Sequence, residues 1–485
     1  MSLLDETVAL LDDARRIYAG SEHADVIDDL GTRLAAPLRV AIAGKVKSGK
    51  STLLNALVGE QLAPTDEGEC TKIVTWYRDG HTYQVLLVPH EGEPRQVPFV
   101  RDAGSVEVDL GDTAPGDIER LDITWPSQQL RDVTLIDTPG IGSLSTDISD
   151  RTWSFIRPDD DDTPADAVLY LMKHLHAGDL DFLATFHDTE VSKPNPVNAI
   201  GVLSRADEIG VGRLDALGSA TRIAARYRRD PRVRRLVQTV VPVAGLLAES
   251  ASTLTEDEYR ALVVVADRSP KETEEALLSA DRFVDTSEIS LTSLERAHLL
   301  DRFGIFGVRL ATMLIRREVV ANARELSAEL LERSGLDEVR ELLRTLFLQR
   351  RDLLKSRSAL FALDRLAGEH PVPGTDALRS DIERVLAGAH GFAELRVLSS
   401  LRAGQVTARD EVVEEMERLL GCNGAAPARR LGLDDDASRA EIETTAQEAL
   451  AAWRRRAENP LTQHDLQVAG QVIIRTIEGL LTDRT

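Results

Sequence analysis

Apolar residues open the chain at helical spacing. Leu4, Val8, Leu11 and Tyr18 share one face of a helix expected over 3–18, with acidic residues between them. A second helix is expected over 24–34. Pro37 stops the helical pattern, and the apolar run 38–43 reads as a strand. Further strand-like runs follow at 72–77, 83–88, 118–125, 133–136, 167–171, 199–203 and 237–243, with helical patterns between several of them, notably 51–58 and 215–227. That alternation predicts a largely parallel sheet covered by helices on both faces. The stretch 71–125 holds strands and turn signals but little helix, so it is expected to add antiparallel strands at one edge.

After residue 250 the strand signal fades. Residues 257–330 read as helices, broken near Ser269-Pro270 and over 285–290. The longest periodic segment is 336–366, where Leu336, Val339, Leu343, Leu346, Leu353 and Leu360 fall on one face. Unbroken, it would reach about 45 Å at 1.5 Å per residue. Pro371, Pro373 and Gly374 end it, and amphipathic helices are expected at 376–386, 408–420, 439–453 and 463–481. Phe392, Leu395, Val397, Leu398 and Leu401, mixed with Arg396 and Arg402, have two readings: an amphipathic membrane tip, or a packed core helix, which suits them better.

The chain's 485 residues exceed one core and predict two or three units. No run approaches the roughly 20 apolar residues that span a bilayer. The acidic N-terminus lacks the layout of a signal peptide. The expectation is a cytoplasmic protein, with peripheral contact at the inner face of the plasma membrane left open. Net charge is −23, which disfavours a nucleic-acid partner. The basic clusters at 226–235 and 454–456 read as solvated faces, and Cys70 and Cys422 as free thiols. Of 58 basic residues only 8 are lysines, yet Lys45, Lys47 and Lys50 fall within six positions.

Those lysines belong to Gly44-Lys45-Val46-Lys47-Ser48-Gly49-Lys50-Ser51, a full match to G-x-x-x-x-G-K-[ST] after a strand and before a helix that continues with Thr52. Such glycines let backbone amides turn around phosphates, and the helix N-terminus faces the same anion. Lys50 is expected on the β- and γ-phosphates and Ser51 on Mg²⁺. Asp137-Thr138-Pro139-Gly140 ends the next buried strand. Asp137 would hold Mg²⁺ and the Gly140 amide would sense the γ-phosphate. Ser204-Arg205-Ala206-Asp207 stands where guanine-nucleotide proteins carry [NT]-K-x-D. Asp207 would accept from guanine N1–H and its 2-amino group, Arg205 would lie along the base, and Ser204 would make some of an asparagine's contacts. In the loop after strand 237–243, the backbone of Ala244 and Gly245 would touch the base. Thr71 is the expected switch threonine completing the Mg²⁺ shell, with Thr65 and Thr75 as rivals. The prediction is an α/β P-loop GTPase domain, a mostly parallel sheet with helices on both faces, between a helical N-terminus and a helical C-terminal part, binding GTP and GDP.

This ordered set, with the switch-like spacing of LAPTDEGECT, resembles the dynamin superfamily. GKVKSGKSTLLNALVGEQLAPTD is similar to bacterial dynamin-like GTPases. CTKIVTWYRDG, SRADEIGVGRLDA, VVPVAGLLA, RFGIFGVRL and RDLLKSRSAL look like the actinobacterial isoniazid-inducible dynamin-like proteins. The resemblance implies neck helices at 1–36, a dynamin-type GTPase core at 37–250, a helical extension or insertion at 251–335 and a neck and stalk bundle at 336–485. It implies nucleotide-dependent pairing of heads, as a homodimer or with a paralogous dynamin-like protein, to remodel membranes. Two departures bear on catalysis. Val46 fills the position of dynamin's P-loop glutamine, and Ile141 the position of the water-orienting glutamine of small GTPases. Slow basal hydrolysis is expected, stimulated when heads meet, with Lys47 a candidate for added positive charge. The alternative is a weakly hydrolysing, GTP-gated scaffold that recruits a partner dynamin-like protein.

Overall fold

The computed structural model describes residues 2–63, 73–102, 105–140, 165–185, 198–210, 212–402, 404–422 and 424–482. Two helices come first, α1 (Leu3–Ile17) and α2 (Ala24–Ala35). A Ser2–Asp5 capping box starts α1 by satisfying two amides reciprocally. Its buried face is Thr7, Leu10, Leu11 and Ala14. Val8, expected inward, is 43% exposed, because the inward stripe is centred about a third of a turn from it.

The head is built on a nine-stranded sheet. Its strands are β1 (Leu38–Gly44), β2 (Val74–Asp79), β3 (Gln84–Pro89), β4 (Arg95–Gln96), β7 (Ile118–Trp125), β8 (Val133–Asp137), β9 (Ala167–Met172), β10 (Ala199–Ser204) and β11 (Val240–Val243), in the order β11-β10-β9-β1-β8-β2-β7-β3-β4. β5 (Phe99–Asp102) and β6 (Ser105–Val108) form a separate antiparallel pair. The five strands from β11 to β8 are parallel. β2 then runs antiparallel to β8, and β3 and β4 add antiparallel pairings, as expected for 71–125. β7 is parallel to β2, an inversion that the intervening strands allow. β1 shows the two-faced burial of a central strand. Leu38, Val40 and Ile42 join the apolar cluster shared with the neck, whereas Ala41 and Ala43 join the cluster beneath the later helices.

The head helices are α3 (Lys50–Val58), α4 (Ala177–Thr185), α5 (Ala216–Arg229), α6 (Pro231–Arg234) and α7 (Gly245–Ser252). The segment expected to be a helical extension holds α8 (Glu256–Ala266), α9 (Pro270–Ala276), α10 (Ala280–Asp285), α11 (Ser293–Arg316) and α12 (Ala323–Ser334), all in the Ala41–Ala43 cluster.

The long segment from 336 is not one helix. α13 (Leu336–Leu342) packs on α3 and β11. A π-turn over Leu343–Phe347 and a 3₁₀ turn over Leu348–Arg350 follow, and only then α14 (Arg351–Glu369), which packs on α1, α2 and α15 (Thr375–Gly388). The wider turn directs Thr345, Leu346 and Phe347 inward together, which a regular helix cannot do. The break lies where the chain passes from packing on α3 and β11 to packing on α1 and α2.

The remaining helices are α16 (His390–Arg402), α17 (Asp410–Leu419), α18 (Pro427–Leu431), α19 (Arg439–Glu458) and α20 (His464–Thr482). Phe392, Leu395, Val397, Leu398 and Leu401 are all buried, so α16 is a core helix and no membrane tip. Trp453 is fully buried and its indole N–H donates to Glu415 (3.0 Å). In the basic cluster at 454–456, Arg454 pairs with Glu478 (2.6 Å) and Arg456 with Glu415 (3.3 Å). Cys422 is a free thiol, and Cys70 lies outside the described residues. Among the described residues no helix is long and apolar enough to cross a membrane.

Candidate functional site

β1, β8, β10 and β11 deliver their C-terminal ends to one pole of the head, where open parallel sheets bind ligands. At β1, Gly44 has φ +152°, and a Cβ there would sit 2.5 Å from the Leu171 carbonyl oxygen. Lys47 (φ +62°) and Gly49 (φ +89°) take left-handed backbone, which turns the loop into α3. The Lys50 ammonium folds back to the Lys45 carbonyl (3.4 Å). Lys45 is itself tied down, 3.1 Å from an Asp179 carboxylate that also accepts from the Tyr170 hydroxyl and the His176 amide (2.8 Å each). The Ser48 hydroxyl is buried without a partner. Val46 is 41% exposed and Lys47 is exposed.

The Asp137–Gly140 turn lies against this loop. A Cβ at Gly140 would sit 2.8 Å from the Val46 Cα, so only glycine permits the approach. Thr138 anchors the turn by donating its hydroxyl to the Ile42 carbonyl (3.0 Å). Ser51 Oγ donates to Asp137 Oδ2 (2.9 Å), while Oδ1 is buried with no partner. Burial pushes the Asp137 carboxyl above its ordinary range, opposed by Lys50 and Ser51. Burial likewise lowers Lys50, opposed by Asp137. A hydroxyl and a carboxylate with a spare oxygen suit Mg²⁺, which takes one or two protein oxygens and completes its shell with phosphate and water. No group of three His, Cys, Asp or Glu side chains gathers among the described residues, and this mode of binding needs none.

Between the loop and β10 lies a pocket of about 140 Å³, lined by Gly49, Thr52, Ser204, Arg205, Asp207 and Gly245 among others. Arg205 (φ +53°) starts a 3₁₀ turn over Ala206–Glu208 and pairs with Glu208. The Ser204 hydroxyl is buried without a partner. Burial raises the Asp207 carboxyl above its usual range. The Ala244 amide donates to the Ser334 carbonyl (2.9 Å), holding the loop before α7. The structure therefore gathers Gly44, Lys45, Val46, Lys47, Ser48, Gly49, Lys50, Ser51, Thr52, Asp137, Gly140, Ser204, Arg205, Asp207, Ala244 and Gly245 at one pole. Of its unpartnered oxygens, those of Ser48 and Ser204 belong to residues that line the pocket.

A model of the dynamin family matches residues 40–205. The isoniazid-induced protein IniC of Mycobacterium tuberculosis is 40% identical over 491 aligned positions, covering 100% of this chain and 99% of that protein. The chain belongs to the dynamin family. It is a dynamin-like GTPase, and part of it also resembles the isoniazid-induced protein IniA of the same organism, at 32% identity over 28% of this chain and 23% of that protein. A solved chain from an oligomerised bacterial dynamin pair covers 99% of this chain and 90% of its own length, with a TM-score of 0.35 and 13% identity.

Several expected positions of this GTPase stand apart. Thr71, Thr65 and Ile141 lie outside the described residues. Thr75 lies on β2 opposite Asp137, with its hydroxyl spent on the Ile73 carbonyl. Sequence reasoning missed Asp179, which fixes Lys45, and Asn55. Asn55 is fully buried, donates to the Ala63 carbonyl and Glu249 (3.0 Å each), and accepts from the Leu62 and Ala63 amides (2.9 and 2.7 Å). It thereby holds the chain leaving α3 just before residue 64. An asparagine among apolar helix residues was the available signal, since a buried amide must find partners.

Proposed function

We propose that this dynamin-like GTPase binds GTP with Mg²⁺ at the pole described and couples hydrolysis and head pairing to membrane remodelling. The observation that carries the nucleotide assignment is the Ser51–Asp137 contact, with Asp137 Oδ1 left without a partner beside Lys50. In this reading the amides of residues 44–51 cradle the phosphates, and Lys50 neutralises charge developing on the γ-phosphoryl. Ser51, Asp137 and Thr71 would hold Mg²⁺, which supplies charge neutralisation between the β- and γ-phosphates. The Gly140 amide senses the γ-phosphate. Asp207 accepts two hydrogen bonds from guanine, which adenine cannot offer. Ser204, Arg205, Ala244 and Gly245 frame the base.

Val46 has no polar atom to orient the attacking water, so basal turnover is slow and rises when a second head completes the site. Residues 1–36 and 336–485 form the neck and stalk, 37–250 the catalytic head and 251–335 its helical extension. The partner is a second copy or a paralogous dynamin-like protein. The protein works in the cytoplasm, peripheral at the inner face of the plasma membrane.

The test is phosphate release against protein concentration, with and without liposomes. Turnover per head that climbs with concentration supports pairing. A flat, negligible rate with tight GTP binding would establish the GTP-gated scaffold instead.

A further inference from the structure

Carboxylates outnumber basic residues 81 to 58, and many arginines here pair with acids. Arg15 pairs with Asp12 and Asp28, Arg340 with Asp337, Arg384 with Asp381 and Arg429 with Asp435. The segment from α5 to the start of β11 breaks that habit. Seven arginines lie between 222 and 235 against the single carboxylate of Asp230. Asp230 is taken by Arg232, and Arg234 reaches Glu417. Arg222, Arg226, Arg228, Arg229 and Arg235 are exposed with no carboxylate partner among the described residues.

Arg222, Arg226 and Arg229 follow i, i+4, i+7 spacing and form one stripe on α5. The stripe lies directly opposite the buried face of Ala216, Ala220 and Ala224, so it points straight outward. Arg235 follows α6 in the chain and is exposed as well. The Tyr227 ring packs under Arg226 (5.8 Å to its centroid) and its hydroxyl accepts from the Leu175 amide (3.2 Å), so it offers no free stacking platform to a nucleic-acid base.

The neighbouring element adds apolar surface. Arg402, at the end of α16, donates to the Val237 carbonyl (3.4 Å), and Glu417 meets Arg234 (2.8 Å). Immediately past Arg402, Gln405 and Val406 form the lip of a groove of about 750 Å³ between α16 and α20, lined by Val397, Val468 and Val472. Val468 is 54% exposed, and Leu461, three residues before α20, is 92% exposed. Exposed arginines without carboxylate partners, linked through the Arg402–Val237 and Glu417–Arg234 contacts to an aliphatic groove that also holds Arg396 and Asp465, match a surface that bears both phosphate and hydrocarbon.

We propose that the arginine stripe of α5–α6, with the groove beside α16, docks on bilayers containing anionic phospholipid. This rests on the membrane reading above and names the surface that meets the lipid. The net charge of −23 opposes distant attraction, but screening confines that repulsion to about 8 Å at physiological salt, so contact charges decide.

The test is co-sedimentation of the full chain with phosphatidylcholine vesicles with and without phosphatidylglycerol. The variants are Arg226→Glu/Arg229→Glu/Arg235→Glu and Leu461→Ser/Val468→Ser, with GTP turnover confirming that each is folded. The expected result is binding only with phosphatidylglycerol, weakened about a hundred-fold in the arginine variant. The apolar variant should lose the part of binding that survives high salt. Wild-type protein that binds while the arginine variant binds equally would overturn this surface and leave the membrane reading standing. Wild-type protein that binds no vesicle, with GDP or a GTP analogue, would overturn both. Equal binding to phosphatidylcholine alone, or displacement by millimolar inorganic phosphate, would also overturn the anionic-bilayer assignment.

Discussion

Two lysines show contrasting arrangements here: Lys355, buried where α14 meets α2, and Lys50, half-buried at the pole of the sheet. Burial lowers both, Lys355 to about 8 and Lys50 in the same direction. What separates them is how their hydrogen bonds are used. Lys355, on α14, donates to the carbonyls of Arg33 (2.7 Å), Leu34 (3.3 Å) and Ala36, the open end of α2. All three ammonium protons are spent, and the helix end is capped. Lys50 has one long contact to Lys45, beside an Asp137 oxygen with no partner. The first arrangement is complete and ties α14 to the end of α2. The second leaves donors and an acceptor unmet. Burial alone does not distinguish structure from chemistry, whereas a count of unmet donors and acceptors does.

The sharpest break of that comparison is Lys50→Ala. It should cut GTP turnover about a thousand-fold while changing the unfolding midpoint little. A variant with parental turnover would remove the functional half of the contrast. Next in size, Asp207→Asn should weaken GTP binding about a hundred-fold by losing charge-assisted bonds. It should also improve binding of xanthine nucleotides, which carry a carbonyl where guanine has its amino group. Competition binding reads both effects.

Lys355→Met strands three carbonyls and should cost about 2 kcal/mol, with faster amide exchange in α2 and near-normal nucleotide affinity. Relative to that variant, wild-type stability should rise as pH climbs between about 8 and 10.5. In that window the unfolded lysine still holds a proton that the folded one has released.

Smaller still is a pH effect on GTP affinity. Burial raises Asp207 and Asp137, and the bound state needs both ionised. Affinity should therefore fall on acidification from a higher pH than an ordinary carboxylate would give, and Asp207→Asn should remove part of that slope. The smallest is Lys47→Ala, expected to lower turnover about three-fold without changing affinity, as suits an exposed charge. Unchanged turnover would leave Lys47 with no role.

Much of the site was legible because its chemistry is written in contiguous residues. A loop of eight positions needs glycine where Leu171 crowds Gly44 and where φ is positive at Gly49. Those demands depend on near neighbours, so Gly44 to Ser51, Asp137 to Gly140 and Ser204 to Asp207 each announced themselves. Asp179 and Glu249 did not, because Asp179 meets Lys45 and Glu249 meets Asn55 only through folding, across long sequence separations. The core of α16 was read in favour of packing, and burial of Phe392 and Leu398 agrees.

The positions of most sheet strands, the nucleotide motifs and the helical ends were determined by the sequence, since period and local backbone demands act over a few residues. Tertiary packing decided that the segment from 336 breaks over Leu343–Arg350. One stretch cannot face both the sheet, through α13, and the neck, through α14, on a single helical stripe. It also decided which charges are neutralised. Two basic clusters looked alike in the sequence, yet Arg454 and Arg456 found carboxylates from distant helices while Arg226, Arg228 and Arg229 faced solvent. Long-range pairing depends on which surfaces the fold brings together.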